Sequence, residues 1–260
     1  MVLLRGSFSV IGILSIIFVT IWSAPLDYPN DEEFDTEPAD DFLSDDMILP
    51  LTRSGTINPA ALWPGGIVYY NISSVFDSLF VNNITTAMNI VESASCIRFV
   101  EANETTADFV NIVSEVTGCS SRVGRGGGAQ RLNLYTGAPH CNKVFVIVHE
   151  LFHALGFFHE HMSYDRDDYV TINWENITPG QEFNFRKLDN NTVSHYGFGY
   201  DYKSIMHVGK KASSVNNQPT ITTHDSSATI GQRVELSKPD VEKLNTMYNC
   251  PMESTTTVEP

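Results

Sequence analysis

The spacing of apolar residues predicts strands and helices in alternation along the chain. A β-rich run, I-V-Y-Y-N-I, follows the turn-forming sequence W-P-G-G at 63–66, and a short alternating strand follows at 108–113. The segment 73–94 has the spacing of an amphipathic helix, with one apolar face made of Val75, Leu79, Ile84, Met88 and Val91. A closing helix is predicted over 236–248, with Ser237 as its cap, Pro239 in its first turn, and Val241, Leu244 and Met247 with Tyr248 on its buried stripe.

A strongly apolar helical stretch begins at Val144 and carries His149 and His153 four residues apart. Four residues advance a helix by about 400°, so both imidazoles leave the same face one turn apart. Glu150 lies about 100° round from His149, close to the pair but turned aside from it. Two imidazoles on one face and a neighbouring carboxylate suit a zinc ion with a bound water.

The residues after His153 strengthen the prediction of a zinc site. A continuous helix would turn His159 about 240° away from His153. Gly156 lies between them, and glycine readily adopts the left-handed conformation that ends a helix. The spacing H-E-x-x-H-x-x-G-x-x-H therefore predicts a two-ligand helix, a break, and a third ligand at His159. The alternative, a buried helix with hydrogen-bonded histidines, does not account for the glycine and the third histidine.

This stretch resembles the metzincin signature in its astacin form, because Phe157, Glu160 and His161 complete H-E-x-x-H-x-x-G-F-x-H-E-H. The sequences D-R-D-D-Y-V at 165–170 and S-I-M-H at 204–207 are astacin-like as well. The resemblance spans about residues 63–250. It implies an α+β catalytic domain of two lobes around a cleft, with a mixed β-sheet and the zinc-binding helix at the cleft floor.

The same resemblance implies a zinc metalloendopeptidase that holds one Zn²⁺ per chain. Glu150 is the expected general base, which takes a proton from the zinc-bound water and passes it to the leaving amine. Met206 is expected to form the Met-turn, a hydrophobic floor beneath the metal. The strand at 131–135 resembles the edge strand that pairs with extended protein or peptide substrates, whereas the glycine-rich stretch 121–130 is expected to be a loop.

One position departs from the family pattern. Astacins have a tyrosine after M-H, and this chain has Val208. A phenol at that position donates to the transition-state oxyanion, and losing one such donor typically costs about 10²–10³ in rate. Lys210, His207 and Tyr202 are candidates to replace it. The alternative function is accordingly a catalytically impaired, secreted zinc-binding glycoprotein that acts as a binding or inhibitory partner.

The net charge of −15 argues against nucleic-acid binding. Much of this charge lies in residues 25–53, which contain ten acidic residues and one arginine. Such a composition predicts a segment with little structure of its own, and its F-L-S-D sequence resembles the astacin propeptide motif F-x-G-D. The resemblance implies that Asp45 occupies the open zinc position. Ser44 replaces the motif's glycine, however, and the adjacent Asp46 is an alternative ligand.

The astacin resemblance also implies how the chain matures. An activating protease is expected to cut near Arg53-Ser54, and the new amino terminus is implied to bind Glu160. The predicted division is a signal peptide at 1–24, an acidic pro-segment at 25–53, an astacin-like zinc peptidase domain at 54–252 and a Thr-rich tail at 253–260.

The first 24 residues are typical of a secretory signal, with Arg5 before an apolar run at 10–22. An uncleaved membrane anchor is the alternative, and no later stretch is long and apolar enough to span a membrane. In a secreted chain, four cysteines predict disulfides, with three pairings open. The astacin resemblance implies Cys119 with Cys141 and Cys96 with Cys250. Candidate glycosylation sites are Asn71, Asn83, Asn103, Asn176 and Asn190.

Overall fold

The computed structural model describes residues 46–48 and 58–251. The predicted signal peptide, Asp45, the cleavage point at Arg53-Ser54 and the Thr-rich tail lie outside these residues. Within the described part of the chain, no helix is both long and apolar enough to span a membrane.

A six-stranded sheet forms the amino-terminal half of the described structure. Its strand order is β1-β5-β6-β4-β2-β3. Most neighbours run parallel, while β5 and β6 are antiparallel, so the sheet is mixed as predicted. The strands are β1 (Met47–Ile48), β2 (Ile67–Ile72), β3 (Arg98–Glu101), β4 (Phe109–Val113), β5 (Cys119–Arg122) and β6 (Ala129–Leu134).

The edge of this sheet differs from the prediction. The strand expected at the edge, 131–135, falls within β6, and β6 lies between β4 and β5. Strand β5, which ends in the stretch that was predicted to be a loop, lies beyond β6, and β1, from the predicted pro-segment, pairs with β5 at the edge of the sheet. The prediction was wrong because alternation shows that a stretch is a strand but not which neighbours it has.

Helix α1 (Ser78–Ala94) begins later than its apolar pattern predicts. The side chain of Asp77 accepts a hydrogen bond from the backbone N–H of Phe80 and caps the helix at that point. Val75 therefore precedes the helix, and Val75 and Leu79 are both exposed. The buried face consists of Phe80, Ile84, Ala87, Met88 and Val91.

Helix α2 (Val144–Leu155) packs against α1 and against strands β5 and β6. Every residue from Val146 to Leu155 is buried, so α2 is a core helix rather than a surface helix. One hydrophobic cluster joins α1, α2 and the inner residues of the sheet, and it extends to Ile205, Met206, Leu244 and Met247.

The carboxyl-terminal half contains little regular structure. A two-stranded antiparallel ribbon joins β7 (Val170–Ile172) to β8 (Ile221–Thr223), and α3 (Lys238–Met247) closes the domain. Ser237 caps α3 with Pro239 in its first turn, as predicted. Short 3₁₀ turns connect these elements at Pro59–Ala61, Pro64–Gly66, Pro139–Asn142, Glu160–Met162, Arg166–Asp168, Trp174–Asn176 and Glu182–Phe185.

Two disulfides fasten helices α2 and α3 to the sheet. Cys119, in β5, is bonded to Cys141, which precedes α2. Cys96, just before β3, is bonded to Cys250, which follows α3. This is the pairing that the family resemblance implies.

Candidate metal centre

Helix α2 ends at the glycine in the middle of the histidine motif. Gly156 has a φ of 111°, which is unfavourable for a residue with a Cβ. Its N–H donates to the carbonyl of His153 at 2.8 Å, and the next N–H, of Phe157, donates to the carbonyl of Phe152 at 3.0 Å. These bonds close the helix and reverse the chain. Consequently His159 returns towards the face that carries His149 and His153.

The three predicted histidines meet in the interior. The Nε2 atoms of His159 and His149 are 3.3 Å apart, and all three rings are buried. The Nδ1 of His149 donates to the carbonyl of Ile205 at 2.7 Å, and that of His153 donates to the carbonyl of Phe157 at 2.7 Å. These bonds leave the Nε2 lone pairs of His149 and His153 as the atoms that can bind a metal.

Asp46 supplies a carboxylate to the same point. Its side-chain oxygens lie 3.0 Å from the Nε2 of His149, 2.9 Å from that of His159 and 3.5 Å from that of His153. Asp45, the residue predicted for this place, lies outside the described residues. The carboxylate beside the imidazoles is thus that of Asp46, which the sequence suggested as the alternative to Asp45.

Strand β1 holds Asp46 in this position. The carbonyl of Asp46 accepts a hydrogen bond from the N–H of Ser121, and that of Ile48 accepts one from the N–H of Val123. Strand β1 therefore runs along the edge of β5, and the Asp46 carboxylate lies at the end of that pairing. The sequence motif F-L-S-D gives no information about this register, because the register depends on the β5 partner.

Glu150 lies beside the imidazoles without a partner of its own. Both of its carboxylate oxygens are buried and lack a hydrogen-bond partner among the described residues. Burial raises the pKa of Glu150 well above its usual range, and the negative charge of Asp46 raises it further. Burial likewise lowers the pKa of His149 and His159, which favours the neutral imidazoles that metal binding needs.

These residues fit a zinc ion. Ligand atoms from Asp46 and the three histidines all lie within 4.8 Å of one another. Two nitrogen ligands on a tetrahedral zinc are roughly 3.3 Å apart, given zinc–nitrogen bonds of about 2.0–2.1 Å. Moreover, the Nε2 of His153 is buried and has no hydrogen-bond partner within the described part of the chain. A buried nitrogen in that state is unfavourable unless something else binds it.

Met206 lies in the turn that borders this site. Its side chain is buried in the main hydrophobic cluster. Its carbonyl accepts a hydrogen bond from the N–H of Glu160 at 3.0 Å, which joins the turn to the residue after His159. The adjacent Ile205 carbonyl is the group that orients His149. Met206 thus occupies the region predicted for the Met-turn.

The side chain of Val208 is buried in a second cluster, with Ile172 and Phe185 among its members. Two of the candidates to replace the family's tyrosine already use their polar atoms. His207 Nε2 accepts from the Tyr200 hydroxyl at 2.7 Å while its Nδ1 donates to the Val208 carbonyl at 2.9 Å. The Tyr202 hydroxyl donates to the carbonyl of Tyr169 at 2.6 Å.

The third candidate, Lys210, is exposed.

A cation that no motif indicated, Arg233, influences the site. Arg233 donates to the carbonyl of His207 at 3.0 Å. After burial, its positive charge is the largest cause that lowers the pKa of His149, and it also acts on Glu150. The sequence offered no signal for Arg233, because it lies outside the histidine motif and the Met-turn.

Glu160 forms a buried ion pair that sequence reasoning also missed. The ammonium of Lys243 donates to both carboxylate oxygens, at 2.9 and 3.2 Å. The expected partner of Glu160, a new amino terminus at Ser54, lies outside the described residues. A signal for Lys243 was present, because Asp240 and Lys243 fall on the same face of α3 as the apolar Leu244 and Met247.

Comparison with known proteins identifies the family. The model of the peptidase family described as Astacin matches residues 55–249, which is most of the chain. The chain belongs to the astacin family. Zinc metalloproteinase nas-15 of Caenorhabditis elegans is 45% identical over 196 residues, which cover 75% of this chain and 34% of that protein. Seminal metalloprotease 1 of Drosophila melanogaster is 40% identical over 209 residues, covering 77% of this chain and 82% of that protein.

An astacin-like structure supports the same assignment of the fold. High choriolytic enzyme 1, a hatching-enzyme zinc protease from the medaka fish Oryzias latipes, has a TM-score of 0.67 and 40% sequence identity, covering 74% of this chain and 92% of that one. The predicted α+β astacin fold is confirmed. The chain spans only part of some astacin relatives, with 34% of nas-15 and 57% of nas-7 matched.

Proposed function

We propose that this protein is a zinc metalloendopeptidase with one Zn²⁺ per chain, held by His149, His153 and His159. The observation that carries the proposal is the meeting of three buried imidazoles with the unpartnered, buried carboxylate of Glu150 in the described part of the chain. The astacin relatives, which are described as zinc metalloproteinases, support the same activity.

Different parts of the chain have different roles in peptide-bond hydrolysis. When bound, zinc supplies a Lewis acid that polarises the scissile carbonyl and acidifies water. Glu150 takes the proton of the attacking water and delivers it to the leaving amine. The edge of β5 pairs with the substrate backbone in extended form, which gives affinity without requiring a particular sequence.

The test of this proposal combines metal analysis with an assay of proteolysis. Mature protein purified without chelators should contain one zinc per chain and should cleave casein, while the Glu150→Ala variant should keep the zinc and lose the cleavage. Protein that folds and binds no zinc would contradict the proposed function. Zinc binding without casein cleavage would instead support the alternative, an impaired zinc-binding glycoprotein that acts as a binding or inhibitory partner, which the buried Val208 favours.

We also propose that the protein is made as a zymogen, with Asp46 as the inhibitory ligand in place of Asp45. Asp46 lies within 3.0 Å of the Nε2 of His149 and blocks the place that a substrate carbonyl needs. The pairing of β1 with β5 occupies the substrate edge at the same time. An activating protease that cuts near Arg53-Ser54 would separate this segment from the peptidase domain.

Two neighbouring aspartates allow a matched test of the zymogen proposal. Uncut Asp46→Ala protein should cleave a peptide substrate, whereas uncut Asp45→Ala protein should stay inactive. Activity in the Asp45 variant alone would return the inhibitory role to Asp45, and inactivity of both uncut variants would rule out a carboxylate switch.

Secretion and the remaining domain boundaries are part of the proposal. A signal peptide at 1–24, a pro-segment at 25–53, a peptidase domain at 54–252 and a tail at 253–260 are consistent with an extracellular enzyme, as are the two disulfides. Among the candidate glycosylation sites, Asn71, Asn103 and Asn190 are exposed. Asn83 and Asn176 are half-buried, and their amide nitrogens donate to the carbonyls of Asn142 and Pro219, so we expect less modification there.

A further inference from the structure

Helix α3 carries two charged side chains, Asp240 and Lys243, on the face that it buries. They are 1% and 3% exposed. Residues three apart on a helix lie on the same face, one turn from each other. Burying a charged group is costly unless it is paired and hydrogen-bonded, so the partners of these two residues indicate what they do.

Asp240 holds the turn that orients His149. One carboxylate oxygen accepts from the Ser204 hydroxyl at 2.6 Å, and the other accepts from the N–H of Ile205 at 2.8 Å. The carbonyl of Ile205 in turn accepts the Nδ1–H of His149 at 2.7 Å. Asp240 therefore begins a short chain of contacts that leads from α3 to a metal ligand.

Lys243 holds the segment that carries His159. Its ammonium donates to both oxygens of Glu160, the residue directly after His159. The same carboxylate accepts from the N–H of Asp201 at 2.8 Å, and the Glu160 N–H donates to the Met206 carbonyl. The backbone that positions His159 is thus fixed from α3 as well.

We propose that Asp240 and Lys243 are positioning residues for the metal centre, through which α3 sets the geometry of His149 and His159 from outside the site. This inference rests on the proposed zinc site. Glu160 is paired with Lys243 in a structure that has Asp46 among the imidazoles, so this support is in place before any new amino terminus forms. Groups that hydrogen-bond a metal ligand directly typically change metal affinity by about 10–100-fold when they are removed. Asp240 and Lys243 act one contact beyond such groups, so we expect the lower end of that range.

The experiment measures the zinc Kd of the pro-form by competition with a chelator. Lys243→Met and Asp240→Asn should each raise the zinc Kd by about tenfold. Matched controls lie on the same helix, where Lys238 and Glu242 form a pair whose lysine side chain is 84% exposed. Lys238→Met and Glu242→Gln should leave the zinc Kd within about twofold of wild type.

A second measurement separates positioning from general stability. The unfolding midpoint of the zinc-free forms shows how much each variant weakens the fold. A Lys243→Met protein with a lower midpoint and an unchanged zinc Kd would overturn the inference for Lys243, and the same result for Asp240→Asn would overturn it for Asp240.

A double variant covers the case in which Lys243→Met does not fold because Glu160 is left buried without its cation. Glu160→Gln combined with Lys243→Met removes both charges, and it should still bind zinc more weakly than wild type by about tenfold or more. A wild-type Kd in the double variant would contradict the inference. Wild-type protein that binds no zinc would overturn the proposed function as well, whereas equal Kd values in all variants would overturn the positioning role alone.

Discussion

Helices α2 and α3 both bury ionisable side chains, but they use them differently. On α2, His149 and His153 point their ring nitrogens at the centre of the site. Among the described residues, the Nε2 of His153 and both carboxylate oxygens of Glu150 have no hydrogen-bond partner. On α3, Asp240 and Lys243 are paired with the segments that hold that site. At this site the carboxylate of Glu150, unpartnered within the described part of the chain, belongs to the proposed reaction centre, whereas the paired side chains of α3 belong to its support.

The largest expected effect is the difference in activity between one carboxylate substitution in α2 and one in α3. Glu150→Gln in α2 removes the proposed general base, so we expect kcat/KM to fall by at least about 10²–10⁴ while zinc content stays at one per chain. Glu242→Gln in α3 changes a carboxylate in a solvent-facing pair and should alter kcat/KM by less than about twofold. A fluorogenic peptide assay and elemental analysis measure both. Comparable activity in the two variants would contradict the assignment of Glu150.

The next largest effect is on the free energy of unfolding and comes from the two disulfides, one of which lies beside each helix. The Cys96–Cys250 bond after α3 spans 154 residues, and the Cys119–Cys141 bond before α2 spans 22. Longer loops lose more chain entropy on closure, so paired Cys→Ser changes should lower the free energy of unfolding by about 5 and about 3 kcal/mol, respectively. Denaturant unfolding of the two double variants measures this. A larger loss from the shorter loop would show that native-state contacts, rather than chain entropy, determine the order.

The smallest effect concerns Val208, which lies between the two helices in the chain. Val208→Tyr supplies the phenol donor of the family pattern, and we expect kcat to rise by about tenfold to a hundredfold, which is at most the lower end of the usual value of an oxyanion donor. The side chain is buried, so the added volume should also lower the free energy of unfolding by about 1–3 kcal/mol. Val208→Phe is the matched control, because it adds similar bulk without the hydroxyl. Equal kcat values for the two variants would show that the hydroxyl plays no part.

The sequence was sufficient for the α2 side of the site because its information is local. His149, His153, Gly156 and His159 lie within eleven residues, and helix geometry together with one glycine places them. The α3 side depends on partners that are distant in sequence. Asp240 contacts a residue 35 positions away and Lys243 one that is 83 positions away, so no spacing rule relates them.

The errors in the fold have the same origin. Strand periodicity identified β6 but not its neighbours, so the edge of the sheet was assigned to the wrong strand. Apolar spacing placed Val75 and Leu79 on a buried face, whereas the cap at Asp77 starts α1 after Val75, and both side chains are exposed. In each case the local pattern correctly predicted a strand or a helix, but contacts with other residues determined the neighbours of the strand and the first residue of the helix.

The segment after β5 touches the chain on both sides of residues 49–57. Val123 donates to the carbonyl of Ile48 on one side, and the N–H of Arg125 donates to the carbonyl of Ala61 on the other. A cut within that stretch would leave each end held by its own hydrogen bonds. The segment proposed to block the site would change from a tethered group into a separate ligand, and it would lose the high effective concentration that a short tether provides. Release would then depend on dilution and on the lifetime of the contacts, so the appearance of activity should lag behind the cut itself.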